Sequence, residues 1–246
     1  MINLLKYEFK KTLFGKLIML GITAIAEIMF LYGVFTKSDK WTTGGITFLI
    51  VCALTGLFYI GIETLTTFHK DLNTKQSYML FLTPNSSHKI LGAKVLENAV
   101  SILMTGGFFA ALTAIDVMLM LTYTNGLEEL LKVLNNMLSS ILNYNIDWST
   151  AVMLFVSVIL SWLMAISTGY LAIVLCATVL AGKKISGLAS FALFVFLNYV
   201  ITRFSDLIVG RITGYSKMGL MFGVSAAVIA VLYFLTAWIM DKKLSV

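Results

Sequence analysis

The chain has 246 residues, of which 59% are hydrophobic and 12% are charged, with a mean hydropathy of +0.92. Soluble domains carry about 25% charged residues, so this composition excludes an ordinary soluble fold and predicts an all-α integral membrane protein. The net charge of +6 comes from cations scattered between apolar segments. They form no basic face, so nucleic acid is not an expected partner, whereas the lipid bilayer is.

Residues 1–16 predict an amphipathic helix at the membrane surface, because apolar residues recur at helical spacing on one face. The apolar set is Ile2, Leu5, Phe9 and Leu13, and the lysines outside that face are Lys6, Lys10 and Lys11. This helix either anchors the N terminus by its positive charge or lies beside a cytoplasmic partner. No cleavable signal is expected, because the next apolar run is long enough to span a membrane and ends without a small-x-small site.

Six apolar runs predict six transmembrane helices in a single membrane domain that covers residues 1–246. The spans cover about residues 17–35, 46–68, 95–123, 151–181, 185–201 and 219–240. The fourth run is longer than a perpendicular helix needs, so we expect it to tilt or protrude, whereas the fifth is short. No internal repeat or flexible linker indicates a second domain.

The distribution of cations predicts the orientation of the chain. If the N terminus is inside, the inner segments contain twelve of the 18 Lys and Arg residues, and the outer segments contain the other six. Those six are Lys37, Lys40, Lys132, Arg203, Arg211 and Lys217. Short loops rich in Lys and Arg stay on the cytoplasmic side, so we expect a multi-pass protein of the cell membrane with both termini cytoplasmic.

The longest polar interruption of this apolar chain runs from Asp71 to Lys94, DLNTKQSYMLFLTPNSSHKILGAK. Within it lies an apolar patch, which consists of Tyr78, Met79, Leu80 and Phe81. Pro84, the only proline of the chain, ends any helix that reaches it, and Ser86 or Ser87 can cap the next one. The pattern predicts a short helix at the cytoplasmic surface, between spans 2 and 3, that is presented to a partner.

The spacing within this segment resembles that of ABC-2 type permeases, the membrane subunits of one class of ATP-binding-cassette exporters. Pro84 lies thirteen positions after Asp71, and Lys94 lies ten positions after Pro84, with Ser86 nearby. An acid, a proline, a serine and a lysine occupy these positions around the start of the third membrane helix in that family. The chain has Asp71 where the family usually has Glu, and Tyr78 where the family has an acid. It also has Lys75-Gln76 where the family has Gly-Thr.

The resemblance implies a role in transport. The chain would form the substrate path together with a second permease, either a copy or a paralogue, and a dimer of separate ATPase subunits would bind ATP and Mg and drive export. The segment 71–94 would dock on the ATPase, and the N-terminal helix would lie beside it. The coupling residues that the resemblance implies are Asp71, Tyr78, Met79, Leu80, Phe81, Pro84 and Lys94. Short re-entrant helices would occupy residues 201–218.

Motifs for chemistry within this chain are not found in the sequence. The pairs Gly15-Lys16 and Gly182-Lys183 lack the leading glycine and the Ser or Thr of a phosphate-binding loop, so ATP hydrolysis and a cofactor are not expected here. His69 and His88 have no metal-ligand spacing. Cys52 and Cys176 lie within predicted spans, where packing is the expected role. We therefore expect no enzyme activity in this chain.

Four acidic residues lie within or at the ends of the predicted spans. A charge at the bilayer centre costs roughly 2.5 to 3.5 kcal/mol on insertion scales. The cost of each acidic residue therefore depends on how deep it lies in the membrane. Glu97 and Asp116 are expected near the interfaces, whereas Glu27 lies in the middle of the first span. Glu27 is either protonated and bonded inside the bundle, or it faces a substrate path or a partner cation. Glu63 could pair with Lys70 or with a group near the first span. An alternative function is a proton-coupled secondary transporter that uses Glu27 and Glu63, and a membrane scaffold is a third reading.

A further amphipathic stretch, from Leu127 to Ile141, has leucines at helical spacing on the outer side of the membrane. Thr124 or Asn125 could cap this helix. The stretch is expected either to cover the helix ends or to act as a lid.

Overall fold

A computed structural model of the chain describes residues 2–73, 86–123, 148–179, 185–210 and 215–243, and it is helical throughout this part. The six helices are α1 (Ile2–Thr36), α2 (Asp39–Asn73), α3 (Ser87–Tyr123), α4 (Trp148–Val179), α5 (Ser186–Val209) and α6 (Tyr215–Lys243). Each is long and apolar enough to cross a membrane. The predicted all-α fold with six candidate membrane spans is confirmed for the described residues, and these helices indicate a multi-pass membrane protein.

The first helix runs without a break from Ile2 to Thr36, past the residue where an interfacial helix was expected to end. Its 35 residues measure about 52 Å, whereas the hydrocarbon core of a bilayer is about 30 Å thick. α1 is therefore too long for the hydrocarbon core alone. A separate interfacial helix over residues 1–16 is not shown.

The N-terminal part of α1 turns a polar face towards the protein. Glu8 and Thr12 are buried, whereas Leu13, Phe14 and Leu17 are each more than half exposed. Exposed apolar side chains are stable on the surface of a membrane protein because lipid surrounds them. The polar residues of this segment therefore make its contacts within the protein.

The fifth helix also extends beyond its predicted span. Residues 201–209 continue α5 as one helix, so the expected re-entrant helices do not begin at residue 201. Arg203 remains helical there because its Nε lies 3.3 Å from the hydroxyl of Tyr199 and its guanidinium stacks over that ring. Residues 211–214, and the amphipathic stretch from Leu127 to Ile141, lie outside the described residues.

By their internal contacts, the residues form two compact units. The core unit consists of Met1–Glu8, Gly61–Ala99 and Trp148–Val246, and the hairpin unit consists of Phe9–Ile60 and Val100–Asp147.

The core unit is built around α4, which packs against α5 and α6. Half of the most apolar stretch of α4 is buried. Glycines permit the close approach of α2: a Cβ on Gly169 would lie 2.5 Å from the side chain of Leu65, and one on Gly61 would lie 2.8 Å from the ring of Trp162. The core continues with Phe68, Tyr170 and Val174. α4 is therefore the central helix of this unit.

The hairpin unit contains the tight connection between α1 and α2. Lys37 adopts a left-handed conformation with φ of 51°, and the backbone N–H of Ser38 donates to the carbonyl of Gly33. A Cβ on Gly33 would collide with the backbone of Thr42, and a Cβ on Gly45 would lie 2.5 Å from Cα of Phe30. The two helices thus make backbone-to-backbone contact, which only glycine permits.

The substitution Gly45→Ala is expected to lower the free energy of unfolding by about 1 to 3 kcal/mol, because a methyl group must push the backbone of Phe30 away. Thermal unfolding in detergent micelles measures the effect. Gly107→Ala is the control, since a Cβ at that position meets no atom within 4 Å. Equal stability of the two variants would contradict the close contact.

Candidate functional site

Three charged side chains from α1, α2 and α3 form a buried ionic cluster in the core unit. The Nζ of Lys94 donates to Oδ2 of Asp71 at 2.6 Å and to Oε1 of Glu8 at 2.9 Å. The three residues are only 3 to 4% exposed. Charge-assisted hydrogen bonds of this length are roughly twice as strong as hydrogen bonds between neutral groups. We call Glu8, Asp71 and Lys94 the ionic cluster.

The position of each member on its helix explains how the cluster forms. Glu8 lies two turns into α1, Asp71 lies in the last turn of α2, and Lys94 lies two turns into α3. Phe68, one turn before Asp71, places its ring centroid 5.7 Å from Nζ of Lys94. The ring of Tyr170 packs edge-on against Phe68 with centroids 4.8 Å apart. The ammonium is thus enclosed by two carboxylates and an aromatic face.

Two of the expected coupling residues are therefore brought together by the structure. Asp71 and Lys94 are paired and buried, so in this arrangement they hold the two ends of the segment 71–94 and do not offer a surface to a partner. The remaining expected coupling residues, Tyr78, Met79, Leu80, Phe81 and Pro84, lie outside the described residues.

Beyond the cluster, the buried face of α3 is polar. Asn98 is fully buried, donates from Nδ2 to Oγ1 of Thr64 at 2.9 Å and accepts from Nε1 of Trp162 at 3.2 Å. Glu97 is 3% exposed, so the expectation that it reaches interfacial water is wrong. Its position one turn after Lys94 puts it on the protein-facing side of the helix.

Tyr170 supplies an unpaired polar group close to these residues. The side chain is 1% exposed, and its hydroxyl has no hydrogen-bond partner in the part of the chain that the structure describes. A buried donor without a partner loses its hydration without compensation, so Tyr170 contributes apolar area and not polar stabilisation.

In the hairpin unit, Glu27 and Asp116 form a carboxyl pair. Their carboxyl groups are close neighbours. Two carboxyl groups can share a hydrogen bond only when one of them contains a proton. Oε2 of Glu27 and Oδ1 of Asp116 are buried without a partner among the described residues. Both readings of Glu27 stay predictions.

Sequence reasoning did not pair Glu27 with Asp116. A signal was present in α3, where polar residues recur on one helical face: Lys94, Asn98, Ser101, Thr105 and Asp116. In the hairpin unit, α1 meets this face with polar groups as well. The Nζ of Lys16 donates to Oγ of Ser101 at 2.6 Å and to Oγ1 of Thr12 at 2.9 Å. Lys16 thus makes contacts inside the protein.

The other titratable candidates, Glu63 and His69, lie among side chains of the fold. Glu63 is half-buried. Nε2 of His69 lies 3.1 Å from Oγ of Ser186, whose hydroxyl donates to Oδ1 of Asn73. Across the described ranges, no three His, Cys, Asp or Glu side chains are grouped to hold a metal ion.

Comparison with known proteins found no match for this chain. No protein-family model, curated protein or solved structure matches the chain significantly. The function is therefore argued from the residues alone.

Proposed function

We propose that this chain is the permease subunit of an ABC-2 type transporter. The observation that carries the proposal is the segment 71–94, in which Asp71, Pro84, Ser86 and Lys94 stand at the spacing of that family. It joins the second and third helices of a protein with six candidate spans. The ion pair between Asp71 and Lys94 supports the proposal, because it holds together the two ends of the segment.

In this proposal, the permease converts a movement of its ATPase partner into a movement of its helices. The apolar patch from Tyr78 to Phe81 contacts a cleft of the ATPase, and Pro84 ends the helix that carries it. Asp71 and Lys94 pass the displacement to α2 and α3. ATP and Mg are bound by the ATPase dimer and not by this chain. A second permease, identical or paralogous, completes the path for export.

Reconstitution tests the proposal directly. The neighbouring reading frame is expected to encode an ATPase with a phosphate-binding loop, and the two products are expected to copurify. In proteoliposomes, transport should require ATP and the ATPase. Transport that proceeds without any ATPase would refute the proposal.

We further propose that the protein lies in the cell membrane with both termini cytoplasmic, and that the N-terminal part of α1 lies at the inner interface beside the ATPase. The length of α1, about 52 Å, supports this, because its first turns extend beyond a hydrocarbon core of about 30 Å. The exposed lysines of these turns, Lys6 and Lys10, suit an anionic inner leaflet.

Cysteine labelling in sealed cells is expected to report this orientation. After Cys52→Ala and Cys176→Ala, a membrane-impermeant maleimide should label Asn136→Cys and Tyr215→Cys from outside. Asn85→Cys should be labelled only after the cells are opened, because the segment 71–94 faces the cytoplasm in this arrangement. Labelling of Asn85→Cys in sealed cells would contradict the six-span orientation.

A second candidate function is a proton-coupled secondary transporter, and the carboxyl pair in the hairpin unit favours it. The carboxyl groups of Glu27 and Asp116 are close neighbours, and intramembrane carboxyl groups are the usual proton carriers of such transporters. The partner of Glu27 in this scheme is Asp116. Glu63, the other carrier expected from the sequence, belongs to the core unit.

The substitution Glu27→Gln separates the two functions. Glutamine keeps the shape and can hydrogen-bond to Asp116 but releases no proton. For an ATP-driven permease, we expect transport to fall by less than about fivefold, the effect of about 1 kcal/mol for one neutral hydrogen bond, and to be insensitive to an uncoupler.

Asp116→Asn is the matched control, since it removes the other proton site of the same pair. A proton-coupled transporter would lose activity in both variants and would respond to the uncoupler. That result would overturn the ATP-driven mechanism, whatever the spacing in the segment 71–94.

A further inference from the structure

We propose that the ionic cluster of Glu8, Asp71 and Lys94 is a lock that ties the first two turns of α1 to the end of α2 and the start of α3. Through this lock, the N-terminal segment of α1 keeps its position relative to both ends of the segment 71–94. Glu8 is thereby a positioning residue. The role of the lock in energy coupling rests on the proposed function, whereas the existence of the lock does not.

The geometry of the lysine makes it the shared member of two ion pairs. An ammonium group has three N–H donors, and Lys94 directs two of them to carboxylates of different helices, at 2.6 and 2.9 Å. Each contact is direct and buried, so water and salt weaken it little. Lys94 therefore fixes the position of Glu8 and of Asp71 at once.

The burial of the cluster argues for a role in specificity. Removing three charged groups from water costs free energy that their mutual attraction offsets only in part. A set of apolar residues of similar volume stabilises a fold as well or better. The charged set selects one relative position of the three helices, because only that position brings each carboxylate to the ammonium.

The charge arrangement also connects distant parts of the chain. Glu8 and Lys94 are separated by 86 positions, and Asp71 and Lys94 by 23. The polar face of α1 described above, with Glu8 and Thr12 buried, is the face that such a contact requires. A displacement of Lys94 consequently acts on α1 as well as on α2.

The lock is tested first in the chain alone, reconstituted in nanodiscs. Spin labels on Lys6→Cys and Ser86→Cys, two exposed positions of the core unit next to the lock, report the distance between α1 and the start of α3. We expect one narrow distance distribution in the parent, a broad one in Glu8→Gln, and a broad one in the neutral triple variant Glu8→Gln/Asp71→Asn/Lys94→Met. Lys10→Met, which removes an exposed lysine of α1, should leave the distribution narrow.

The triple variant keeps the test valid if the single variant Glu8→Gln does not fold. Because it contains no unpaired charge of the cluster, it is expected to fold even if Glu8→Gln does not. A distribution as narrow in the folded triple variant as in the parent would overturn the lock.

The coupling role is tested in the complex with the ATPase. The triple variant is expected to keep its bound ATPase and its ATP hydrolysis but to lose about tenfold in ATP-driven transport, the usual size of a coupling between two sites. Full transport by the triple variant would overturn this role. In that case the variant Met79→Asp/Leu80→Asp shows which proposal is wrong. If it also transports normally, the proposed function has failed. If it is uncoupled, only the coupling role of the lock has failed.

Discussion

Replacing Lys94 by methionine is expected to lower the free energy of unfolding by about 3 to 5 kcal/mol, the usual cost of removing one partner from a buried ion pair. The cause is that Glu8 and Asp71 remain 4% exposed and lose their shared cation. Thermal unfolding in detergent, or the yield of folded protein after solubilisation, measures the loss.

The control for this result is Lys89→Met. Lys89 is an exposed lysine of the same helix as Lys94. Substitutions of exposed side chains usually change the free energy of unfolding by only about 0.5 kcal/mol or less. If the two methionine variants were equally stable, the cluster would not act as a buried ion pair.

The double substitution Met79→Asp/Leu80→Asp is expected to abolish ATP-driven transport, either by releasing the ATPase or by leaving it bound and uncoupled. Under the proposed function, two carboxylates would enter an apolar contact, and disrupting the centre of an interface commonly costs about 2 kcal/mol or more. This corresponds to a loss of about thirtyfold in binding. Copurification of the ATPase and transport in proteoliposomes measure the two effects.

The matched control is Gln76→Asp/Asn85→Asp, which adds the same two charges to the same segment on either side of the apolar patch. This variant should keep both its ATPase and its transport. Full activity of the Met79 and Leu80 variant, with an unchanged amount of bound ATPase, would contradict the coupling assignment.

The existence of the six helices was predictable because a chain in lipid must satisfy its backbone hydrogen bonds internally, and an apolar run of about 20 residues leaves the helix as the solution. Their ends were harder to predict. α1 continues through Lys10, Lys11 and Lys16 because lysine is a good helix former, so a lysine does not mark the end of a helix. α5 continues through Arg203 because Tyr199 offers it a local partner.

The sequence alone determined that the chain contains six helices long and apolar enough to span a membrane and that Asp71 and Lys94 flank a polar segment at a particular spacing. Both properties are local in the chain, since they depend on hydropathy and on residues that are 23 positions apart. Only the tertiary structure decided which charges meet. Glu8 reaches Lys94 across 86 positions, and Glu27 lies beside Asp116. Such partners are chosen by the packing of helix faces, because a buried polar group is stable only where another helix supplies its counterpart.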